Sequence, residues 1–171
     1  IIGNQQQVLR VDKEDRDLLN EADSSRLLKK VQSTISTCDA IIIQDYDKGL
    51  LQPALIQGII QSAQAHSIPV LVDPKFQHFW NYQGCSLFKP NLKELKEGLG
   101  IHLDGAETQS VVEAIQGLRK QMPHEQTLVT LGPNGMIWVD QEGKAEHTSA
   151  HPRSITDVSG AGDTVIAMAA L

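Results

Sequence analysis

The sequence predicts an α/β fold, a mainly parallel sheet flanked by helices with an antiparallel edge. Three observations carry this expectation. Short apolar runs at Ala40 to Ile43, Val70 to Val72 and Thr127 to Leu131 alternate with helical stripes such as Leu55, Ile56, Ile59, Ile60 and Ala63, the order that βαβ units produce. The first two runs are continuous rather than alternating, as in strands covered on both faces. Farther along, Gly132-Pro133-Asn134-Gly135 and Gln141-Glu142-Gly143 separate short strands at hairpin spacing, which places antiparallel pairing after the parallel part.

The elements follow in order. Ile1 to Asp12 mixes Gln with Val8, Leu9 and Val11 and suits an exposed edge or lid strand. Asp23 and Ser24 are expected to cap a helix whose stripe is Leu27, Leu28, Val31 and Ile35, ending near Cys38. After the strand Ala40 to Ile43, Pro53 opens a second helix that ends before Pro69. Val70 to Val72 and Ser86 to Lys89 are strands, and Asn91 opens a short helix through Leu95 and Leu99. Val111, Val112, Ile115 and Leu118 mark a further helix, followed by strands at Thr127 to Leu131, Met136 to Val139 and Ala145 to Ser149. Ile155 to Val158 leads into a glycine-rich turn and a last helix starting near Gly162.

Composition narrows the function classes. The 171 residues carry 15 Lys and Arg against 21 Asp and Glu, a net charge of −6, and the densest basic run is only Lys29-Lys30. This excludes the electrostatic footprint of a nucleic-acid or anionic-membrane binder and leaves small-molecule chemistry. Cys38 and Cys85 lack metal or redox spacing and are expected as reduced thiols in a cytoplasmic protein. No apolar stretch approaches a membrane span, and no signal segment opens the chain. The six His are scattered without metal-ligand spacing.

The chemistry concentrates in Asp157-Val158-Ser159-Gly160-Ala161-Gly162-Asp163-Thr164. Small residues at 159 to 162 let backbone amides approach an anion, and the helix beginning there adds its positive end. A carboxylate at Asp163 beside bound phosphate repels its ligand unless it has another role, such as accepting the proton of an attacking hydroxyl. The same spacing also suits a plain strand-to-helix turn with Asp163 facing the helix dipole. Val165 occupies the last glycine position of a G-x-G-x-x-G fingerprint, and no G-x-x-x-x-G-K-[ST] occurs, which excludes Rossmann and Walker-type sites.

This segment resembles the C-terminal signature of the ribokinase (PfkB) family of sugar kinases. The resemblance implies a ribokinase-like fold and ATP-dependent phosphoryl transfer, with Gly160, Ala161 and Gly162 as the anion hole and Asp163 as catalytic base. Asn91-Leu92-Lys93-Glu94, after Phe88-Lys89-Pro90, resembles the family's Asn-x-x-Glu motif, in which Asn91 and Glu94 help place Mg²⁺ and phosphate, partly through water. Taken alone, the same four residues are a helix cap. Val129 to Gly135 resembles the nucleotide-contacting strand and turn, with Thr130, Gly132 and Gly135 as contacts. Asp73-Pro74-Lys75 also fits, at the end of a parallel strand where α/β enzymes place ligands.

Gln6 to Asp12, Asp45-Tyr46-Asp47-Lys48-Gly49, Asp73 to Lys75 and the Phe79 to Gly84 stretch are most similar to one branch, the kinases acting on D-glycero-D-manno-heptose 7-phosphate in ADP-heptose synthesis. That branch phosphorylates the anomeric hydroxyl with ATP and Mg²⁺, and the other acceptors in the family include ribose, fructose phosphates and nucleosides. The resemblance places Asp45, Lys48 and Arg10 toward the sugar phosphate, whose phosphate needs a cation from Lys48 or Arg10. On exposure grounds Arg10 pairs equally well with Asp12 or Glu14, and Lys48 suits a solvated loop. A non-catalytic module binding nucleotide or a partner protein through the same fold is the remaining alternative. The five aromatics from Phe76 to Phe88 are expected to pack a loop rather than adenine.

The resemblance covers the chain, while family members run to about 300 residues. Residues 1–171 are therefore expected to be part of a kinase domain, with 1–12 a lid or edge strand and 13–171 the nucleotide-binding and catalytic part. The N-terminal sugar-binding segment and the segment enclosing adenine are expected to lie outside it. The resemblance also admits a homodimer through the lid strand and a nucleotidyltransferase domain fused in the parent protein.

Overall fold

A computed structural model describes residues 17–150 and 160–171, together with two short strands near the start. These strands, β1 (Ile2–Gly3) and β2 (Gln6–Gln7), pair antiparallel with Ile2 opposite Gln7. The single strand expected over 1–12 is thus a hairpin where it is described, and pairing within the segment satisfies backbone groups that a lone exposed strand would leave open. Arg10 lies outside the described residues, as do Asp157 to Ser159 and the strand expected at Ile155 to Val158.

Six strands form the main sheet, in the order in which they occur along the chain. β3 (Ile41–Gln44), β4 (Val70–Asp73), β5 (Leu87–Phe88) and β6 (Gln126–Thr130) run parallel. β7 (Met136–Val139) and β8 (Ala145–Thr148) continue as an antiparallel meander. The change of direction falls where the two turn sequences stand, because hairpin loops are too short to carry a parallel crossover.

The helices are α1 (Glu21–Thr34), α2 (Pro53–Ala65), α3 (Leu92–Leu99), α4 (Thr108–Gln121) and α5 (Ala161–Ala169). Helix α1 starts before the residues expected to cap it: Asn20 is the cap, its Oδ1 accepting from the Asp23 amide at 2.9 Å. Asp23 lies inside the first turn, where it favours the helix dipole and bonds Arg26 at 3.0 Å. Asn is as good a cap as Asp, so the earlier position prevails. Pro53 stands in the first turn of α2 as expected.

Strand alternation divides the core in two. Ile43, Val70, Val72, Phe88 and Val129 face the larger cluster, filled by Ile56 and Ile60 of α2, Leu95 of α3 and Val111, Ile115 and Leu118 of α4. Leu71, Leu87 and Leu128 face the other side, where Ile166 brings α5 against the sheet. Phe79, Tyr82 and Phe88 are fully buried, with Phe79 edge-on to Phe88 at 5.2 Å between centroids, whereas Phe76 and Trp80 are exposed, so three of the five aromatics pack as expected. Both cysteines are free thiols. Among the described residues no helix is long and apolar enough to cross a membrane.

Candidate active site

The carboxyl ends of the four parallel strands point to one edge of the sheet, and the N-terminus of α5 comes down on it. Gln44 closes β3 and pairs in register with Asp73, which closes β4. Lys89 follows β5, its amide donating to the Val72 carbonyl at 2.8 Å. Asn91 then forms a parallel bridge with Thr130 at the end of β6. A run of polar residues, each directly behind an apolar strand, is thereby brought side by side.

Asp163 occupies the first turn of α5. Its Oδ1 accepts from the Gln44 side-chain amide, and its Oδ2 accepts from the Tyr46 hydroxyl at 3.4 Å. The carboxylate is exposed, so both donors orient it from the protein side and leave it open toward solvent. Gly160 is the N-cap with φ +78, a conformation that L side chains rarely adopt. Among the described residues no side chain caps α5, and nothing lies within 4 Å of where a Gly160 Cβ would stand. Among the described residues, the first amides of α5 therefore have no side-chain partner, the arrangement that receives an anion at a helix start.

Beneath this turn lies a buried ion pair. The Lys89 Nζ is 3.0 Å from Asp73 Oδ2, with the two side chains 2% and 9% exposed. A Cβ on Gly162 would stand 3.5 Å from that Nζ and 3.6 Å from that Oδ2, so the turn rests on the pair at van der Waals distance. Burial dominates the Asp73 carboxyl and raises it above its usual range, against the pull of Lys89. A second pair joins Lys75 to Glu94 Oε1. Burial works against the Lys75 charge, but the Glu94 hydrogen bond and charge, with Asp73 and Asp45, outweigh it and raise its pKa.

Asn91 and Glu94 form a full capping box on α3: Asn91 Oδ1 accepts from the Glu94 amide at 2.8 Å, and Glu94 Oε2 accepts from the Asn91 amide at 2.9 Å. The cap is therefore real, and it points the second Glu94 oxygen at Lys75. Both carboxylate oxygens are engaged, which fits Mg²⁺ held through water better than direct ligation. The hard oxygen donors of Glu94 and Asn91 suit that cation, and the amides at the start of α5 suit the phosphates.

Gly132 opens a 3-10 turn, Gly132–Asn134, with φ +62 and free space where a side chain would go. Gly135 is different: a Cβ there would meet the Thr148 carbonyl oxygen at 2.0 Å. That glycine lets β7 and β8 approach. Asp45 is 3% exposed, and its carboxylate accepts from the Tyr82 hydroxyl at 2.7 Å and the Asp47 amide at 2.8 Å. Lys48 lies half-buried in the same loop.

The structure thus brings Asp163, Gly160, Ala161 and Gly162 to the edge that also carries Asp73, Lys75, Asn91, Glu94, Thr130 and Gly132, with Asp45 and Lys48 in the loop after β3. It adds Gln44, Tyr46 and Lys89, which sequence reasoning passed over. Gln44 ends β3, Tyr46 follows it by two residues and Lys89 directly follows β5, near the strand-end position that singled out Asp73.

Residues 4–170 match the sequence profile of the pfkB family carbohydrate kinases. The chain belongs to this family. Its relatives include the Bifunctional protein HldE of Wolinella succinogenes, 40% identical over 167 residues, and that of Coxiella burnetii, 39% identical over 170. These matches cover 98% and 99% of the chain and 34% of each relative; the chain spans about a third of the length of these pfkB family relatives. Among solved pfkB-fold structures, an Arabidopsis thaliana ribokinase complexed with ribose and ATP superposes with TM-score 0.66 at 18% identity, over 91% of this chain and 47% of that one. A phosphofructokinase-2 from Escherichia coli in complex with potassium superposes with TM-score 0.71 at 22% identity, over 87% of this chain and 48% of that one. The fold is ribokinase-like.

Proposed function

We propose that the protein is an ATP-dependent sugar kinase that transfers the γ-phosphoryl group to a sugar hydroxyl, with the anomeric hydroxyl of D-glycero-D-manno-heptose 7-phosphate as acceptor. The observation that carries this reading is the orientation of Asp163. It stands at the uncapped start of α5, held by Gln44 and Tyr46 with its carboxylate open to the approach. In the proposed step the acceptor hydroxyl gives its proton to Asp163 as its oxygen attacks the γ-phosphorus, and the bond to the β-phosphate oxygen breaks to release ADP.

The amides of Gly160, Ala161 and Gly162 bind the transferring phosphoryl group, where negative charge accumulates. Mg²⁺ bound through water to Glu94 and Asn91 would neutralise charge on the β- and γ-phosphates. Asp73 and Lys89 support the turn from below, Lys75 holds Glu94, and Thr130, Gly132 and Gly135 contact the nucleotide. Asp45, Lys48 and Arg10 serve the sugar phosphate.

Family membership supports the kinase reading. The heptose acceptor rests on the resemblance of Asp45 to Gly49 and of Asp73 to Lys75 to that branch, and this reading also includes a homodimer through the lid strand and a nucleotidyltransferase domain fused in the parent protein. A panel of acceptors with ATP tests it. Heptose 7-phosphate is expected to exceed ribose, fructose 6-phosphate and nucleosides in kcat/KM; phosphorylation of one of those with heptose 7-phosphate inert would overturn the acceptor assignment and leave the kinase assignment standing.

A further inference from the structure

Past β3 the chain runs through Asp45-Tyr46-Asp47, and the 3-10 turn Phe76–His78 after β4 folds against it. One ligand-capable atom from each of Asp45, Asp47 and His78 lies within 4.8 Å of the other two. Asp45 and His78 are 3% and 7% exposed. Two carboxylates this close repel each other.

Hydrogen bonds occupy Asp45, while among the described residues Asp47 accepts only from the Gln77 amide, on Oδ2 at 3.5 Å. Asp47 Oδ1 is shut off from solvent with no hydrogen-bond partner. Among the described residues, no hydrogen bond reaches the His78 ring, although it is more than nine-tenths buried and faces both carboxylates. The nearby ammonium of Lys75 is bonded to Glu94. Ligands about 2.1 Å from one ion stand roughly 3 Å apart when cis and about 4.2 Å when trans. The 4.8 Å bound on their separations is near that range, and an ion would satisfy the orphaned oxygen, the imidazole and the carboxylate repulsion together.

We propose that Asp45, Asp47 and His78 bind a divalent first-row transition-metal cation of the Mn²⁺ to Zn²⁺ class, separate from the Mg²⁺ that accompanies nucleotide. An imidazole with two carboxylates suits these metals and selects against Mg²⁺ and Ca²⁺, which prefer all-oxygen sites. The site would pin the end of β3 to the turn after β4. Tyr46, which bonds Asp163, sits between two of the ligands, so occupancy would fix its position.

Mn²⁺ is the suitable probe because it takes carboxylate and imidazole and has little affinity for thiols such as Cys38. Free Mn²⁺ is read by electron paramagnetic resonance during titration of the nucleotide-free protein in about a hundredfold excess of Mg²⁺. One Mn²⁺ per chain is expected to be retained and to raise the melting temperature. Asp47→Asn and His78→Gln, each checked for folding by circular dichroism, should weaken binding by about tenfold or more, while Asp163→Asn leaves it unchanged. Failure to retain Mn²⁺ against Mg²⁺, or affinity unaltered in either ligand variant, would overturn the proposal.

Discussion

Lys89 and Asp73 form a buried ion pair 3.0 Å long directly beneath the glycine turn that opens α5. The pair explains how a carboxylate can be tolerated below the turn proposed to bind phosphate: its charge is matched from within the sheet, and the turn above meets a neutral platform.

Lys89→Met is expected to destabilise the fold by about 3–5 kcal/mol, since it leaves Asp73 buried and unmatched. Urea unfolding of the variant, with Lys89→Arg as the control that keeps the charge, measures this. A loss under about 1 kcal/mol would mean that Asp73 is solvated without its partner.

The glycines of the two turns should separate by substitution. Gly135→Ala drives a Cβ to 2.0 Å from the Thr148 carbonyl oxygen, and should cost more than about 2 kcal/mol by opening the β7–β8 hairpin. Gly160→Ala meets no atom of the described residues within 4 Å and should cost only about 1–2 kcal/mol of backbone strain, while weakening ATP binding more than it lowers stability. Thermal melts and nucleotide titration on both variants check the ordering.

The capping box makes Asn91 a test of two roles at once. Asn91→Ala should lose about 1 kcal/mol of stability and Asn91→Ser should recover it, since serine caps equally well. If Asn91 also places Mg²⁺ and phosphate, Asn91→Ser will keep a raised KM for ATP despite normal stability. Full kinetic recovery would assign it to the cap alone.

His124 sets a pH dependence. Its Nδ1 lies 2.7 Å from the Met122 carbonyl and its Nε2 2.7 Å from the Thr127 hydroxyl, so the neutral ring donates to Met122 and accepts from Thr127. Burial pushes its pKa down to about 4. Between the ordinary value near 6.5 and about 4 the unfolded chain holds a proton that the folded chain refuses. Stability should therefore fall as the pH drops through this window, by on the order of 3 kcal/mol in all. His124→Asn should flatten that slope in urea unfolding; an unchanged slope would remove His124 as the cause.

Much of this was legible in the residues themselves. Continuous runs such as Val70 to Val72 and the turn at Gly132 to Gly135 report covered strands and a hairpin, because burial and turn geometry act locally. Asp73, Asn91 and Asp163 were legible because each follows a strand or opens a helix. Gln44, Tyr46 and Lys89 were not, since a Gln, a Tyr and a Lys near a strand end look the same whether they meet another side chain or solvent. The ion pair of Lys89 with Asp73 depends on the register of β4 against β5, which no local pattern encodes. The first helix began earlier than expected because Asn20, Asp23 and Ser24 all make good caps and only packing chooses among them.

The central claim is that Asp163, oriented by Gln44 and Tyr46, takes the acceptor proton. Asp163→Asn is nearly isosteric and keeps a carbonyl oxygen to accept from Gln44, so comparing its kcat with that of the unsubstituted protein, with ATP affinity measured alongside, tests this claim most directly. The account predicts a loss of roughly 10²–10⁴ in kcat with ATP binding retained; a kcat within a few-fold of the unsubstituted protein would contradict it.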